Sequence, residues 1–537
     1  MSSISAGTTT NTALVSTGDT SGNLALQTNG GTTALTLNTS GAIGVGSSPA
    51  YGSSGQVLTS GGSGAAPSWS TPAGSSVQAV ASGSLANGDK VVVNSDGTVS
   101  VIAGTQPTAG TAVVFNSVGI TEYQASAYDP VNNKVLIVYC NYSGNKYGIA
   151  IVGTVSGSTI SFGSKYTFSS VQAYYLACAY DSYANQFIVS YYDVSNTKGK
   201  VIPLKVTGSA VSAGTEVQFD GGQVSYNSVV YDVSKNTTIL AYADGSNQGT
   251  LKNATLSGTT ITVNGTTVFN AGTTSYINTA YDPVQQKILI AYYDNSNGKV
   301  VVGQTLVGEV SLGTAVTFNS GNTQNPSLVY DTINQKFALF YRDGSNSYYA
   351  TAIVGTVSGK SISFGSEVVF NSANSAYMSG AYDSASGTFA CAYWDTNTGV
   401  VMQTAYISGT SIVFSGTQVT LSAGFADQIC TVYNPQTPSF VVNFQNYANS
   451  QYGTAVVAAP VSTNLTSTNF IGISDGAYTN GQTANIQTVG ATDDAQSGLT
   501  AGKKYYVEYN GALSQSSNGY GAFAGTAVSA TKLVIKG

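Results

Sequence analysis

The chain has 537 residues, of which 42% are hydrophobic and only 8% are charged, and its formal net charge is -6. This apolar content excludes a chain that is disordered throughout. Because the sequence has no block of basic residues that could bind a phosphate backbone, we expect no nucleic-acid partner. There is no histidine and one arginine, Arg342, which excludes His-based acid–base catalysis, His-ligated metals and arginine clusters.

Residues 1–75 are rich in Thr, Ser and Gly. A flexible linker is one interpretation of this composition. However, Leu24, Leu26, Leu35 and Leu37 keep period-two spacing, which predicts short strands that bury their apolar faces against other copies of the chain. The segment lacks the basic start and apolar run of a signal peptide, and the chain has no apolar stretch of membrane-spanning length, so we expect no membrane insertion.

A repeat of about 50 residues extends through residues 107–460. Each copy carries Tyr-Asp, or Tyr-Asn in the last, with an aromatic residue eleven positions later and a phenylalanine or leucine twelve or thirteen positions earlier. Short alternating segments between turns, without helical periodicity, are typical of propeller blades. The seven marker tyrosines are Tyr128, Tyr180, Tyr231, Tyr281, Tyr330, Tyr382 and Tyr433.

The ends of the repeat array predict how the ring closes. A strand at residues 111–115 precedes the first marker tyrosine, whereas the seventh repeat lacks its last strand. Pairing strand 111–115 into the last blade removes both exposed edges. We therefore predict an all-β fold with a seven-bladed β-propeller at residues 107–460.

The segments flanking the propeller resemble each other. GSLANGDKVVVNSDGTVSVIAG and SGLTAGKKYYVEYNGALSQ share a turn, a lysine, a valine-bearing strand and a hairpin. We interpret residues 76–106 and 461–537 as the first and second parts of one small β domain into which the propeller is inserted, because insertion at a loop tip is well tolerated.

The aspartates of the turns, such as Asp193 and Asp294, recur in nearly every repeat. They are predicted to accept backbone N–H bonds, as tight turns require. Each turn has too few oxygen ligands for calcium, and no repeat has a distinctive acidic pair, so we predict no metal site, no cofactor and no catalytic residue. The cysteines are predicted to be small buried side chains outside any disulfide framework: Cys140, Cys178, Cys391 and Cys430.

Candidate ligand-binding residues stand five positions before each marker tyrosine, where the chain enters the innermost strand beside the central channel. Tyrosine offers a flat apolar face and a hydroxyl, and Asn and Gln offer a donor and an acceptor, a set that suits sugar rings. The alternative is that they pack against the neighbouring blade and recur only because blades recur. These candidates are Tyr123, Tyr175, Tyr226, Tyr276, Asn325, Tyr377 and Gln428.

The N-terminal phrases TTALTLNTSGAIGVG and GSSGQVLTSGGSGAAPSWS resemble shaft or attachment segments of tail fibres and related virion proteins of tailed bacteriophages. The run TNFIGISDGAYTNGQTANIQTVG and the closing FAGTAVSATKLVIKG resemble a small β module of phage structural proteins. The resemblance implies a structural protein of the virion, on the phage tail or capsid surface. It also implies that residues 1–75 form a shaft that contacts other virion proteins, and that the chain is a homotrimer.

On this basis we expect a tail fibre that attaches to the host by binding a surface glycan or other receptor through the propeller face. One alternative is a capsid decoration or vertex fibre with no receptor role. A glycan-degrading enzyme is a further alternative. Sialidase chemistry in particular needs several arginines for the substrate carboxylate, and this chain has one.

Overall fold

The computed structural model is almost entirely β-sheet. It describes residues 22–27, 33–54, 56–62, 65–70, 75–143, 145–466, 468–515 and 522–536. In this part of the chain the only helical element is the 3-10 turn Tyr447–Asn449. None of the described segments forms a helix with the length and apolarity needed to cross a membrane.

The first strands of the repeats, here called the inner strands, surround one axis. Each lies beside the inner strand of the next repeat, and the last lies beside the first, so the ring is closed. The inner strands of repeats 1 to 7 are Thr121–Asp129, the second half of Tyr166–Asp181, Ser225–Asp232, Ser275–Asp282, Thr323–Asp331, Ser375–Asp383 and Ala426–Asn434.

Each inner strand pairs antiparallel with a second strand, which pairs with a third. The second strands are runs of β-branched, aromatic and small apolar residues that are buried on both faces, because each sheet packs between two others. They are Lys134–Asn141, Gln186–Asp193, Thr237–Ala243, Lys287–Tyr293, Lys336–Asp343, Thr388–Asp395 and Ser439–Asn446. The third strands are Tyr147–Ser156, Lys198–Thr207, Gln248–Ser257, Gly298–Leu306, Tyr349–Ser358, Gly399–Ser408 and Tyr452–Ala459.

The outer strand of each repeat pairs with the third strand and is often interrupted. In repeat 7 it comes from the opposite end of the array: Val113–Asn116 pairs with Tyr452–Ala459, with Val113 opposite Ala455. In repeats 1 to 6 the outer strands are Thr159–Phe162 with the start of Tyr166–Asp181, Ala210–Ala213 with Val217–Asp220, Thr260–Thr273, Glu309–Leu312 with Val316–Asn319, Ser361–Phe364 with Val368–Asn371, and Ser411–Ser422. A further short strand, Thr108–Ala109, also pairs with Tyr452–Ala459.

Antiparallel sheets arranged radially around a closed ring of inner strands constitute a β-propeller. The predicted all-β propeller class is therefore confirmed. The pairing of Val113–Asn116 with Tyr452–Ala459 is the one that the surplus strand before the first repeat predicts.

Aromatic pairs hold neighbouring repeats together. A phenylalanine in the outer strand of one repeat contacts a buried tyrosine in the second strand of the next, with ring centroids 5.0–5.7 Å apart. The pair Phe115–Tyr139 joins repeat 7 to repeat 1 in the same way, at 5.3 Å. The remaining pairs are Phe168–Tyr191, Phe219–Tyr242, Phe269–Tyr292, Phe318–Tyr341 and Phe370–Tyr393.

The turn aspartates act as the sequence predicts. Asp129 Oδ1 accepts hydrogen bonds from the backbone N–H groups of Val131 (2.9 Å) and Asn132 (3.0 Å). Equivalent bonds occur in all the other repeats, where Asn434 serves in the last. The predicted turn chemistry is confirmed. All four cysteines are free thiols; Cys140 and Cys391 are buried as predicted, whereas Cys178 and Cys430 are partly exposed.

The two flanks of the propeller contribute strands to one sheet. Its order is Ser76–Val80, Thr483–Gln487, Phe470–Ser474, Lys90–Val93 and Val99–Val101. A second sheet has the order Thr492–Asp493, Leu533–Ile535, Phe523–Ala527, Lys504–Val507 and Leu513–Ser514, and Gly104–Thr105 pairs with Ser462–Thr463. Val92 from the first flank packs in one core with Ile473 and Leu533 from the second. Strands from both flanks therefore share one sheet and one core.

In the N-terminal segment, Leu24–Gln27, Thr33–Leu37 and Ile43–Val45 form a three-stranded sheet, and Val57–Thr59 pairs with Ser68–Ser70. Leu24 lies opposite Leu37, and their side chains are 41% and 38% exposed. The predicted short strands are thus present here. Other parts of the predicted shaft, among them residues 1–21, 28–32 and 71–74, lie outside the described residues.

The closing aromatic pair generates a stability prediction. Phe115→Ala should lower the free energy of unfolding by about 3–5 kcal/mol, because it removes a buried ring and leaves a cavity. Phe219→Ala, at an internal contact between repeats, is the matched control and should cost a similar amount. In hydrogen exchange, only Phe115→Ala should accelerate exchange in Tyr452–Ala459. Equal protection of that strand in both variants would show that Phe115 has no special part in closure.

A candidate binding site at the channel mouth

All seven candidate residues share one unusual backbone conformation. Each is half-buried and each has a positive φ, between 47° and 57°, although none is glycine. The pairing with the second strand shifts register at each of these positions. For a non-glycine residue this left-handed conformation costs roughly 1–2 kcal/mol. A β-bulge of this kind re-aims the side chain.

Five of the seven candidates line one cavity between the inner strands, whereas Tyr123 and Tyr175 are not part of its lining. It has a volume of about 260 Å³ and is lined by residues of six of the seven inner strands. Candidates in its lining are Tyr226, Tyr276, Asn325, Tyr377 and Gln428. The end of the channel where these residues lie is here called the channel mouth.

The tyrosines of repeats 1 to 4 form a continuous aromatic arc. Ring centroids are 5.1 Å apart for Tyr123–Tyr175, 5.7 Å for Tyr175–Tyr226 and 5.3 Å for Tyr226–Tyr276. Burial raises the pKa of all four phenols above the ordinary value of 10.0. Their hydroxyls therefore stay protonated at neutral pH, where each can donate and accept a hydrogen bond.

Repeat 5 interrupts the arc, because Asn325 stands where the other repeats have a long side chain. The Asn325 Oδ1 atom accepts a hydrogen bond from the backbone N–H of Tyr377 at 3.2 Å. A short amide in place of a ring leaves a gap between Tyr276 and Tyr377, and all three residues line the cavity. The ring thus consists of five tyrosines, one asparagine and one glutamine. It is nearly symmetric, but its side at repeat 5 differs from the rest.

Two residues beyond the candidates of repeats 3 to 6, a Ser or Asn side chain joins neighbouring inner strands. Ser327 Oγ accepts a hydrogen bond from Gly380 N at 2.9 Å, and Ser379 Oγ accepts one from Thr431 N at 2.8 Å. Ser228 and Asn278 accept equivalent bonds from the next repeat. These side chains satisfy backbone donors that lack a ladder partner. These side chains therefore connect neighbouring repeats.

Sequence reasoning missed an acidic pair at the channel mouth. Glu122 and Asp427 each stand one residue before a candidate, in repeats 1 and 7, which are neighbours only in the closed ring. Burial raises the pKa of Asp427 to about 7; a hydrogen bond from the Tyr447 hydroxyl (3.1 Å) opposes this shift, and the charge of Glu122 adds to it. Burial also raises the pKa of Glu122, against the opposing charge of Lys146.

Exposed aromatic side chains extend the site outward beside Tyr377. The ring centroid of Phe425 lies 6.4 Å from that of Tyr377, 4.9 Å from that of Trp394 and 4.6 Å from that of Tyr447. Phe425 is 37% exposed, which is unusual for a phenylalanine in contact with three other rings. Sequence reasoning missed this cluster because Phe425 lies between strands and has no counterpart at the repeat offsets.

A larger cavity, of about 430 Å³, lies between the propeller and the small domain. It is lined by turn residues such as Ile333 and Ala385 and by the connection that includes Pro460 and Val461. Its one carboxylate, Asp383, already accepts backbone bonds within its own turn. Among the residues that the structure describes, no group of three or more Cys, Asp or Glu side chains is placed to hold a metal ion.

No protein-family model and no curated protein matches the chain. Solved propellers are similar in fold. The propeller domain of Cps50 (Swd1) from Myceliophteria thermophila has a TM-score of 0.43 and 10% identity, over 65% of this chain and 99% of that chain. Sqt1 from Chaetomium thermophilum has a TM-score of 0.41 and 10% identity, over 67% and 100%. The NanB sialidase from Streptococcus pneumoniae has a TM-score of 0.40 and 8% identity, over 64% and 69%. These similarities concern the fold alone.

The left-handed backbone predicts an inverted order of two variants. Glycine normally destabilises a strand relative to alanine, but at the φ of 51° of Tyr276 it avoids the left-handed penalty. Tyr276→Gly should therefore be more stable than Tyr276→Ala, by roughly 0.5–1 kcal/mol in urea unfolding. The same substitutions at Tyr128, in the extended part of an inner strand, should give the ordinary order. Alanine being the more stable at both positions would contradict the assigned conformation.

The raised pKa of Asp427 predicts a pH dependence of stability. Between the ordinary carboxyl pKa near 4 and the folded value of about 7, the folded state keeps a proton that the unfolded chain has lost. The free energy of unfolding should therefore fall as pH rises through this window. Asp427→Asn should flatten that slope and be more stable than the wild type at pH 8.

Asp294→Asn is the control, because the pKa of Asp294 is shifted in the opposite direction from that of Asp427. Burial alone would raise the pKa of Asp294, but hydrogen bonds from Lys299 and two backbone N–H groups outweigh burial and lower it. That carboxylate contributes stability at neutral pH and loses it as pH falls, so its replacement should destabilise at pH 7. If Asp427→Asn leaves the pH dependence of the unfolding free energy unchanged, the carboxyl group of Asp427 titrates near its ordinary pKa.

Proposed function

We propose that this protein is a fibre component of a phage virion, on the tail or capsid surface, and that it binds a host surface glycan at the channel mouth of its propeller. The observation that carries the proposal is the ring of seven strained, half-buried candidate residues. Backbone strain maintained in every repeat is costly, and such strain concentrates at ligand-binding sites.

The chemistry of the mouth suits a polyhydroxylated ligand. The arc Tyr123, Tyr175, Tyr226 and Tyr276 presents ring faces to apolar C–H surfaces, and protonated hydroxyls beside them can exchange hydrogen bonds with sugar hydroxyls. Asn325 and Gln428 add amide donors and acceptors. The exposed ring of Phe425 extends the same surface.

The N-terminal segment supports the assembly part of the proposal. Leu24, Leu26 and Leu37 are 38–49% exposed on a small sheet, and a homotrimer would bury them. Three copies of a weak site displayed on one shaft would bind a repetitive glycan with high avidity. The rest of residues 1–75 would contact other virion proteins.

In this proposal the protein binds without catalysis. The described carboxylates of the turns accept backbone hydrogen bonds and are therefore occupied in the fold. Glu122 and Asp427 are the exception at the mouth, and we assign them to binding. Incubation with host surface polysaccharide should leave its chain length unchanged in size-exclusion chromatography. If the wild type shortens the polysaccharide chains and Asp427→Asn does not, the protein is an enzyme instead.

The double variant Tyr276→Ala and Tyr377→Ala tests the binding site. Loss of two aromatic contacts of about 0.5–1.5 kcal/mol each should weaken binding of the full chain to host cells and purified host glycan by roughly 5- to 150-fold. Tyr183→Ala, which removes a 75%-exposed tyrosine of a Tyr-Asp turn, is the matched control and should bind normally. Unchanged binding in a folded double variant would overturn the site. Failure of the wild type to bind cells or compete with virus would favour a decoration role.

A further inference from the structure

The only arginine of the chain lies beside the gap in the tyrosine ring. Arg342 is in the second strand of repeat 5, directly opposite Gln324, the residue that precedes Asn325. Its guanidinium carbon lies 4.1 Å from the ring centroid of Tyr348. Tyr276 and Tyr377, which flank the gap, both lie within electrostatic range of this charge.

Within the described part of the chain, Arg342 contacts only uncharged groups. Nη1 donates to Gln324 Oε1 at 2.5 Å, and Nη2 donates to Asn374 Oδ1 at 2.8 Å. The buried Nε–H has no acceptor. Among the described residues, the ion pairs within 4 Å are Lys200–Glu216 and Lys299–Asp294, so no carboxylate neutralises Arg342.

A half-buried cation without a counter-ion is incompletely satisfied. Burial lowers the pKa of Arg342, while the neighbouring phenols of Tyr348, Tyr276 and Tyr377 act in the opposite direction. Neutral amides hold the guanidinium in place but do not compensate its charge. A guanidinium held in this way offers its remaining N–H donors to an anion, since Arg recognises planar anions through pairs of such donors.

The position and the charge together point to a ligand. Tyr276, Asn325 and Tyr377 line the cavity of about 260 Å³. Arg342 is outside this lining, opposite the neighbouring Gln324, and its charge acts on Tyr276 and Tyr377. We propose that Arg342 binds the carboxylate of an acidic sugar whose ring occupies the gap between Tyr276 and Tyr377. This inference rests on the proposed glycan-binding function and names the class of glycan.

Two features favour a carboxylate over a phosphate. Arg342 supplies one positive charge and a planar set of donors, which match a singly charged planar anion. On the other side of Tyr377 lie Asp427 and Glu122, whose charges also act on Tyr447. Acidic groups there would repel a doubly charged ligand more strongly than a singly charged one.

The test compares two defined saccharides on the full chain: a galacturonic acid tetrasaccharide and the same tetrasaccharide after reduction of its carboxyl groups. Calorimetry should show that the acidic form binds at least tenfold more tightly. Arg342→Gln should remove this preference, and Arg342→Lys, which keeps the charge but lacks the planar donor pair, should retain part of it. Lys146→Gln removes another cation, beside Tyr142, and should leave the preference intact.

The outcomes separate this inference from the function beneath it. If both saccharides bind equally and Arg342→Gln has no effect, or if neither binds, the carboxylate inference is overturned. It is also overturned if galactose 1-phosphate competes more strongly than free galacturonate. Binding of host cells that is lost in the Tyr276 and Tyr377 double variant but kept in Arg342→Gln would leave the proposed function standing. Host binding insensitive to all these variants would remove both.

Discussion

The structure depends on side-chain contacts between neighbouring repeats. The described inner strands pair within their own repeats and not with one another. Neighbouring repeats are joined by apolar packing that includes the Phe–Tyr pairs at the outer strands, and by Ser and Asn acceptors at the axis. Buried aromatic pairs supply a large apolar area with a defined geometry. Because the pair Phe115–Tyr139 has the same form as the others, the two ends of the array meet through the same interaction.

That rigid ring can maintain a strained backbone at its mouth. Seven non-glycine residues in the left-handed region would each favour another conformation in an isolated strand. Here each lies in a bulge between the first paired residues of the inner strand and its longer paired stretch, and the surrounding hydrogen bonds determine its conformation. A rigid scaffold that positions variable side chains is a common way to build a recognition surface.

The repeats make the mouth nearly symmetric, and the departures from symmetry give it chemical character. Asn325 opens a gap, Arg342 places a cation beside it, and Glu122 with Asp427 places carboxyl groups on the other side of Tyr377. A ligand would therefore meet aromatic faces over most of the ring and opposite charges on either side of one tyrosine. In the proposed function, such asymmetry would favour one orientation of the saccharide, since like charges disfavour the reversed orientation.

Much of the fold and part of the site follow from the sequence alone. The offsets between marker tyrosines, buried tyrosines and outer-strand phenylalanines determined the strand register, because period-two alternation and turn chemistry are local. The same offsets identified all seven candidate residues. They did not reveal the left-handed conformation of those residues, since tyrosine has no intrinsic preference for it. Nor did the offsets predict that Glu122 lies near Asp427, or Arg342 near Tyr276 and Tyr377. These proximities depend on the angle between successive sheets and on closure of the ring. Both are determined by the packing of side chains between sheets, which is a property of the tertiary structure.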